Sequence, residues 1–281
     1  MDIREIIKST RDYNLHSHTQ FCDGRAEMER FVEAAVAAGI KHLGFTPHSP
    51  IPIDSPCNMK QEDVAPYIKE FNRLKEEYAG QINIYLSMEI DYLGKLWGAS
   101  HEFFSEIPLD YKLSSIHFIP SQDDGTLIDV DGSPSGFIQK LHKYFHDDIH
   151  YVVDTFYSHT LDMIEAGGFD MIGHFDKIGF NASNYRPGIE DEAWYKKHID
   201  NVIDALRSRD IVVEINTKAW SPPVGATPDE VKAYHPRLFP SPHVIRRLYE
   251  AGMPIAVNSD VHYPDRITFG RQAAFNIIDR K

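Results

Sequence analysis

The chain has only two cysteines, Cys22 and Cys57. Two are too few for a disulfide framework, so a reducing, cytoplasmic setting is expected. No run of about 18 apolar residues is present, so no membrane-spanning helix and no membrane partner are expected. The first residues, Met1-Asp2-Ile3-Arg4-Glu5, lack the apolar core of a signal peptide. There is no Lys/Arg cluster, and the formal net charge is -13. Such a field repels nucleic-acid phosphates, so nucleic acid is not expected as a partner. No linker, low-complexity stretch or internal repeat divides the 281 residues, a length that suits one large α/β domain or two small ones. Hydrophobic residues at 42% and charged residues at 25% are ordinary for a globular protein able to bury a sizeable core. Nothing in the sequence sets an oligomeric state.

What is abundant is histidine, with 15 in the chain. The stretch Leu15-His16-Ser17-His18-Thr19-Gln20-Phe21-Cys22-Asp23-Gly24 reads as the end of a short strand followed by a turn. Alternation along a strand puts His16 and His18 on one face, and Asp23 adds a carboxylate nearby. Downstream, apolar segments at 40–46, 82–90, 112–118, 169–173, 211–215 and 254–258 read as strands. Between them, 25–38, 61–80, 137–166, 191–209, 241–251 and 266–279 read as helices, the third broken near Asp147-Asp148. Residues 122–135 read as a loop. About seven strand–helix alternations imply an α/β fold with a parallel sheet, closed like a barrel, whose active site forms at the carboxyl ends of the strands.

Nearly every strand ends in a ligand-type residue: His16 and His18, His48, Glu89, His117, His174, Asn216, then Asp260 and His262. With Asp23, the imidazole and carboxylate candidates are nine: six His, two Asp and one Glu. Such donors without thiolate suit zinc, manganese or iron, and nine are too many for one tetrahedral ion. Several ions bridged by a carboxylate clamp a phosphoryl group and lower the pKa of a bridging water. His142, His146 and His150 recur every four residues but sit among Asp147 and Asp148, as on a solvated face. For the substrate, Lys177 just beyond His174 is the leading phosphate contact, with Arg186, Lys218 and His159 behind it. The carboxylates of 122–135, together with Asp54 and Asp91, could hold a cationic group on the substrate.

Taken together, His16-Ser-His18 with Asp23-Gly24, Thr46-Pro-His48, Glu89, Ser115-Ile-His117, Gly173-His174 and Ser259-Asp260-Val-His262 resemble the motifs of the PHP (polymerase and histidinol phosphatase) superfamily. The resemblance runs from the first strand to the last and implies a single PHP-type domain over 1–281. It implies a distorted (β/α)7 barrel with three divalent transition-metal ions. His16, His18, Glu89 and Asp260 would hold the first, Glu89, His117 and His174 the second, and Asp23, His48 and His262 the third. Phe21-Cys22-Asp23-Gly24, Pro50-Ile51-Pro52, Glu89-Ile90-Asp91-Tyr92, His117-Phe118 and Asn216-Thr217 narrow the resemblance to the histidinol-phosphate phosphatases. The expected activity is then hydrolysis of a small phosphomonoester by a metal-bridging hydroxide, with histidinol phosphate of histidine biosynthesis as the leading substrate. Glu89 would bridge two ions, and Asp260 is a candidate proton donor to the leaving group. The alternatives are a PHP-type nuclease or phosphoesterase acting on another substrate, a non-catalytic metal-binding domain, and an amidohydrolase-like enzyme. The charge opposes the nuclease, no ligand is missing as the non-catalytic domain would require, and no lysine stands where Glu89 does for the amidohydrolase.

Overall fold

A computed structural model describes residues 2–280, with the side chains of Glu230 and Ala233 left out of account. In chain order it contains α1 (Ile3–Ser9), β1 (Tyr13–Asn14), α2 (Met28–Ala37), β2 (His42–Phe45), α3 (Val64–Glu77), β3 (Asn83–Leu86), β4 (Glu89–Asp91) and β5 (Leu113–Ser115). Then come β6 (Phe118–Pro120), β7 (Leu127–Asp129), α4 (Pro134–Tyr144), α5 (Ile149–Ala166), β8 (Met171–Ile172), α6 (Ile178–Tyr185) and α7 (Ala193–Arg207). The chain ends with β9 (Val212–Asn216), α8 (Pro228–Ala233), α9 (Pro242–Glu250), β10 (Ile255–Asn258) and α10 (Arg271–Asp279).

The parallel strands fall into two sheets, β1-β2-β3 and β10-β9-β8-β5-β4. Strand β3 and strand β4 are one apolar run interrupted at Ser87-Met88, so the staves of the barrel are seven. The two sheets meet at both seams near the carboxyl ends. Ser17 pairs with Val261, and His48 pairs with Glu89. The His18 amide donates to the Val261 carbonyl at 2.9 Å, and the Glu89 amide to the Pro47 carbonyl at 3.0 Å. The barrel is therefore distorted: it is stitched by single bridges where the metal-type residues lie, rather than by full ladders.

Helix α2 shows why the crossovers pack. Met28, Phe31, Val32 and Ala35 recur at helical spacing and are fully buried. Burying the three larger side chains is worth roughly 5–9 kcal/mol gross, before entropy. Gly39, at φ 75°, takes the left-handed conformation that ends the helix. Strand side chains of β1, β5, β8, β9 and β10, including Tyr13, Leu113, Met171, Val212 and Val257, form an inner cluster with Ile3 and Ile6 of α1 and Phe275 of α10. The other helices pack in a second, larger cluster around the strands.

Two segments differ from the sequence expectation. Residues 122–135 are not all loop, because they contain β7, which pairs antiparallel with β6 just before them, Ile128 against Ile119. Their short apolar triplets are overshadowed in sequence by the Asp, Gly and Ser around them. Helices α1, α6 and α8 were also not anticipated. They span only 7, 8 and 6 residues, too short for a helical period to declare itself.

Candidate metal centre and active-site cleft

All nine ligand-type residues converge at the carboxyl ends of the strands. His16 and His18 follow β1, and His48 follows β2. Glu89 opens β4, His117 follows β5, and His174 follows β8. Asp260 and His262 follow β10, and Asp23 comes from the turn after His18. That turn is tight. A Cβ on Gly24 would fall 2.3 Å from the Thr19 amide nitrogen, so only glycine lets the chain fold back and aim Asp23 at the histidines.

Glu89 is at the centre. Its Oε2 lies 3.2 Å from His48 Nδ1, 3.3 Å from His16 Nε2 and 3.4 Å from His18 Nε2. Its Oε1 lies 2.9 Å from His174 Nε2 and 3.5 Å from His117 Nε2, and accepts from the Ser115 hydroxyl at 2.7 Å. Asp260 Oδ1 is 3.0 Å from His18 Nε2 and 3.6 Å from His16 Nε2. Asp23 Oδ1 is 3.2 Å from His262 Nε2 and 3.9 Å from His48 Nε2. The donor atoms form four overlapping groups, each spanning no more than 4.8 Å: His16-His18-Asp260, His16-Glu89-His174, His48-Glu89-His117 and His18-Asp23-His48-His262. These groups share residues more than the three sets expected from the sequence: His16 also serves the His174 side, and His48 also serves the His117 side.

The donor set fits divalent metal ions. Asp23 Oδ1, His48 Nδ1, His117 Nε2 and Asp260 Oδ1 are buried with no hydrogen-bond partner among the described residues. Buried polar atoms without partners are rare and costly, and here four of them are donor atoms pointing into one cluster. Cys22 Sγ sits 3.4 Å from His18 Nδ1, but burial, with Asp23 adding to it, pushes the thiol up to about 12. Cys22 is in none of the four groups of converging donor atoms, which are all nitrogen and oxygen.

A further layer of buried groups holds the imidazoles in place. His16 Nδ1 donates to Glu214 Oε1 at 2.7 Å, His117 Nδ1 to Asp91 Oδ1 at 2.6 Å, and His262 Nδ1 to the Asp260 carbonyl at 3.0 Å. Each bond commits Nδ1 of its ring as the donor, so that Nε2 is the atom left to ligate once it carries no proton. Glu214 also accepts from the His174 amide at 3.0 Å, Asn216 Nδ2 at 3.1 Å and Asn258 Nδ2 at 3.0 Å. Asn216 Nδ2 reaches Asp260 Oδ2 at 3.0 Å, so Asn216 supports a ligand rather than joining the cluster. Asp260 takes φ 47°, a left-handed conformation that a non-glycine residue adopts at a cost and that clusters at functional sites. Burial pushes the Glu89 carboxyl up, but the His16, His48 and His117 imidazoles outweigh it and hold it well below the usual carboxylate range. Burial lowers His117, yet Asp91 and Glu89 raise it to about 9.

The cluster opens into a cleft of about 1550 Å³ whose lining includes Asp23, His48, His117, Asp260 and His262 together with Asp54, Asp129, Asp131, Lys177 and Lys218. Lys177 therefore reaches the cleft, but it is paired with Asp131 at 2.5 Å. Burial lowers its pKa, and Asp131 with Asp260 and Glu89 overrides this and raises it. Arg186 and His159 do not line the cleft. Arg186 is on the surface, paired with Glu192 at 2.7 Å and bonded to His150 at 3.2 Å. His159 packs edge-on against Tyr92. Asp91 is not a rim carboxylate either: it is buried, bonded to His117 and to Asn58 Nδ2 at 2.9 Å. His142 and His146 lie on the surface beside Asp147 and Asp123. Sequence reasoning missed Glu214. Glu214 had a signal, a lone carboxylate in the apolar strand Val212–Asn216 two residues before Asn216 and so on the same face.

A model of the PHP domain family matches residues 14–218, and the chain belongs to that family. It is 25% identical over 262 residues to the "Probable histidinol-phosphatase" of Deinococcus radiodurans, covering 90% of this chain and 87% of that one. Its fold superposes on the hisK protein of Listeria monocytogenes with a TM-score of 0.76 at 19% identity, covering 93% and 99% of the two chains. It superposes on the histidinol phosphate phosphatase of Lactococcus lactis, a structure complexed with Zn, L-histidinol and phosphate, with a TM-score of 0.68 at 20% identity, covering 95% and 92%.

Proposed function

We propose that this protein is a metal-dependent phosphomonoesterase, with histidinol phosphate as its substrate. The observation that carries this reading is the cluster itself: eight nitrogen and oxygen ligand residues gathered with the buried Glu89, four of them with orphaned atoms, at the floor of an open cleft. His16, His18, Asp23, His48, Glu89, His117, His174, Asp260 and His262 would hold three divalent transition-metal ions, zinc, manganese or iron, with Glu89 shared between groups. When bound, such ions supply hydroxide at neutral pH and neutralise charge developing on a phosphoryl group. The protein's own part is orientation. Glu214, Asp91 and the Asp260 carbonyl fix three imidazoles.

The substrate's cationic end would meet the outer carboxylates. Asp54 is exposed on the cleft wall and has no partner among the described residues, whereas Asp129 pairs with Lys140 at 3.0 Å and Asp131 with Lys177. Asp54 is thus the free carboxylate for an ammonium or imidazolium. The names of the relatives above support the histidinol choice, and the chain would act as one PHP-type domain over 1–281. Among the described residues no helix is long and apolar enough to cross a membrane.

The test is kcat/KM for histidinol phosphate, an aryl phosphate and single-stranded DNA at equal metal loading. Histidinol phosphate is expected to lead by at least tenfold, the value of about one charge-assisted hydrogen bond. A lead by DNA or by a sugar phosphate overturns the substrate assignment.

A further inference from the structure

Six cationic side chains line the cleft, and four of them are already committed. Lys140 and Lys177 are paired with Asp129 and Asp131. Arg237 is held by Glu190 at 2.6 Å. Arg266 donates to the Ser221 hydroxyl at 3.2 Å and the Pro222 carbonyl at 3.0 Å. Arg25 and Lys218 remain, and both attach to one ligand, His262. The Arg25 amide donates to the His262 carbonyl at 2.8 Å, while its guanidinium is exposed in the cleft without a partner among the described residues. The Lys218 amide is pinned by Asn216 Oδ1 at 3.0 Å, and its ammonium lies 3.2 Å from His262 Nε2 and 3.5 Å from Asp260 Oδ1.

The Lys218 contact is temporary by chemistry. His262 Nδ1 donates to the Asp260 carbonyl, so its Nε2 carries a lone pair, which accepts from the Lys218 ammonium. Asp23 Oδ1, 3.2 Å from the same nitrogen, makes no hydrogen bond. A metal ion in the His18-Asp23-His48-His262 group needs that same lone pair. An ammonium and a metal ion cannot share it, and they repel each other. A metal ion held by that group would therefore displace the Lys218 ammonium, whose flexible four-carbon stem carries a point charge that suits a phosphate. Lys177, locked by Asp131, has no such freedom.

We propose that Lys218 and Arg25 form a cationic clamp that seats the phosphate dianion on the His262 side of the cluster, with Lys218 released into that role by metal binding. The clamp rests on the phosphomonoesterase reading and names the residues that would grip the anion. The cleft exceeds the roughly 300–1,000 Å³ of ordinary ligand pockets, so charge rather than close fit must place the phosphate.

Lys218→Met keeps the stem and removes the charge, and Arg25→Gln does the same for the guanidinium. These two variants, Lys218→Arg and wild type are reconstituted with manganese, their metal content is measured, and inorganic phosphate binding is followed by calorimetry. Lys218→Met should keep its full metal content and bind phosphate about tenfold to a hundredfold more weakly. Arg25→Gln should lose affinity in the same direction, and Lys218→Arg should recover part of it. Unchanged phosphate affinity in Lys218→Met at equal metal content overturns the clamp. So does a loss of metal in Lys218→Met, which would make the lysine a support for His262 instead. Wild type that binds phosphate through these residues yet hydrolyses no phosphomonoester would end the phosphatase reading and leave the clamp standing.

Discussion

Replacing Glu214 by Gln perturbs the site without touching a ligand. The Glu214 carboxylate is fully buried and accepts four hydrogen bonds, from His16 Nδ1 at 2.7 Å, Asn258 Nδ2 at 3.0 Å, the His174 amide at 3.0 Å and Asn216 Nδ2 at 3.1 Å. A glutamine has one acceptor oxygen and one donor NH2. If the NH2 faces the His174 amide and Asn216, two buried donors oppose a donor. At about 1–3 kcal/mol for each unsatisfied group, the fold loses roughly 2–6 kcal/mol. If the NH2 faces His16, the ring must accept at Nδ1 and carry its proton on Nε2, which removes the lone pair that faces Glu89 and Asp260. Loss of such a supporting partner costs about 10–100-fold in metal affinity or activity. Either outcome is measurable. Metal content, thermal melting with and without chelator, and kcat/KM should show at least one of the two losses, and a variant equal to wild type in all three would refute the argument.

Other consequences concern the ligands and the protons they hold. Glu89→Gln leaves one anion-less atom between groups that now share a carboxylate, so at least one ion and about three orders of magnitude in rate should be lost, with the circular dichroism spectrum retained. His117, at about 9 in the metal-free protein, must release its proton to ligate. Apparent metal affinity should therefore rise with pH, up to about tenfold per unit between pH 7 and 9, and flatten above; chelator competition measures it, and a flat profile removes His117 from the ligand set. Burial raises Asp176 to about 7, against the pull of Arg237. Its folded value exceeds its unfolded one, so the folded state holds the proton more tightly between about pH 4 and 7. Stability should fall across that window by about 4 kcal/mol and level off above it. Asp176→Asn should melt with a shallower pH slope there, and an unchanged slope would show that other groups set it.

The strand ends were legible because a short apolar segment followed by His, Glu or Asp carries its own direction and face. Leu15-His16-Ser17-His18 and Ser259-Asp260-Val261-His262 state which residues share a side, and the structure puts those residues in one cluster. What was not legible depends on rotation and pairing across the chain. Arg186 closes α6, nine residues after Lys177, and a rise of 1.5 Å per residue carries it about 13 Å away along the helix. Asp91 and Asp54 look alike in sequence, yet the first is buried on His117 and the second is free. Glu214 is harder to read than Asn216 because a carboxylate inside a strand is an exception to the apolar pattern, and its four donors come from the ends of four strands, β1, β8, β9 and β10. The β6–β7 hairpin was hidden by its polar surroundings.

The central claim is that the strand-end cluster is a multinuclear centre that hydrolyses a phosphomonoester. Titrating metal-stripped protein with manganese or zinc, while following bound metal per chain and phosphate release from histidinol phosphate together, tests it most directly. The account predicts close to three ions per chain, no phosphate release without metal, and activity that appears only once more than one ion is bound. Full activity at one ion per chain, or phosphate release that persists after complete removal of metal, would contradict it.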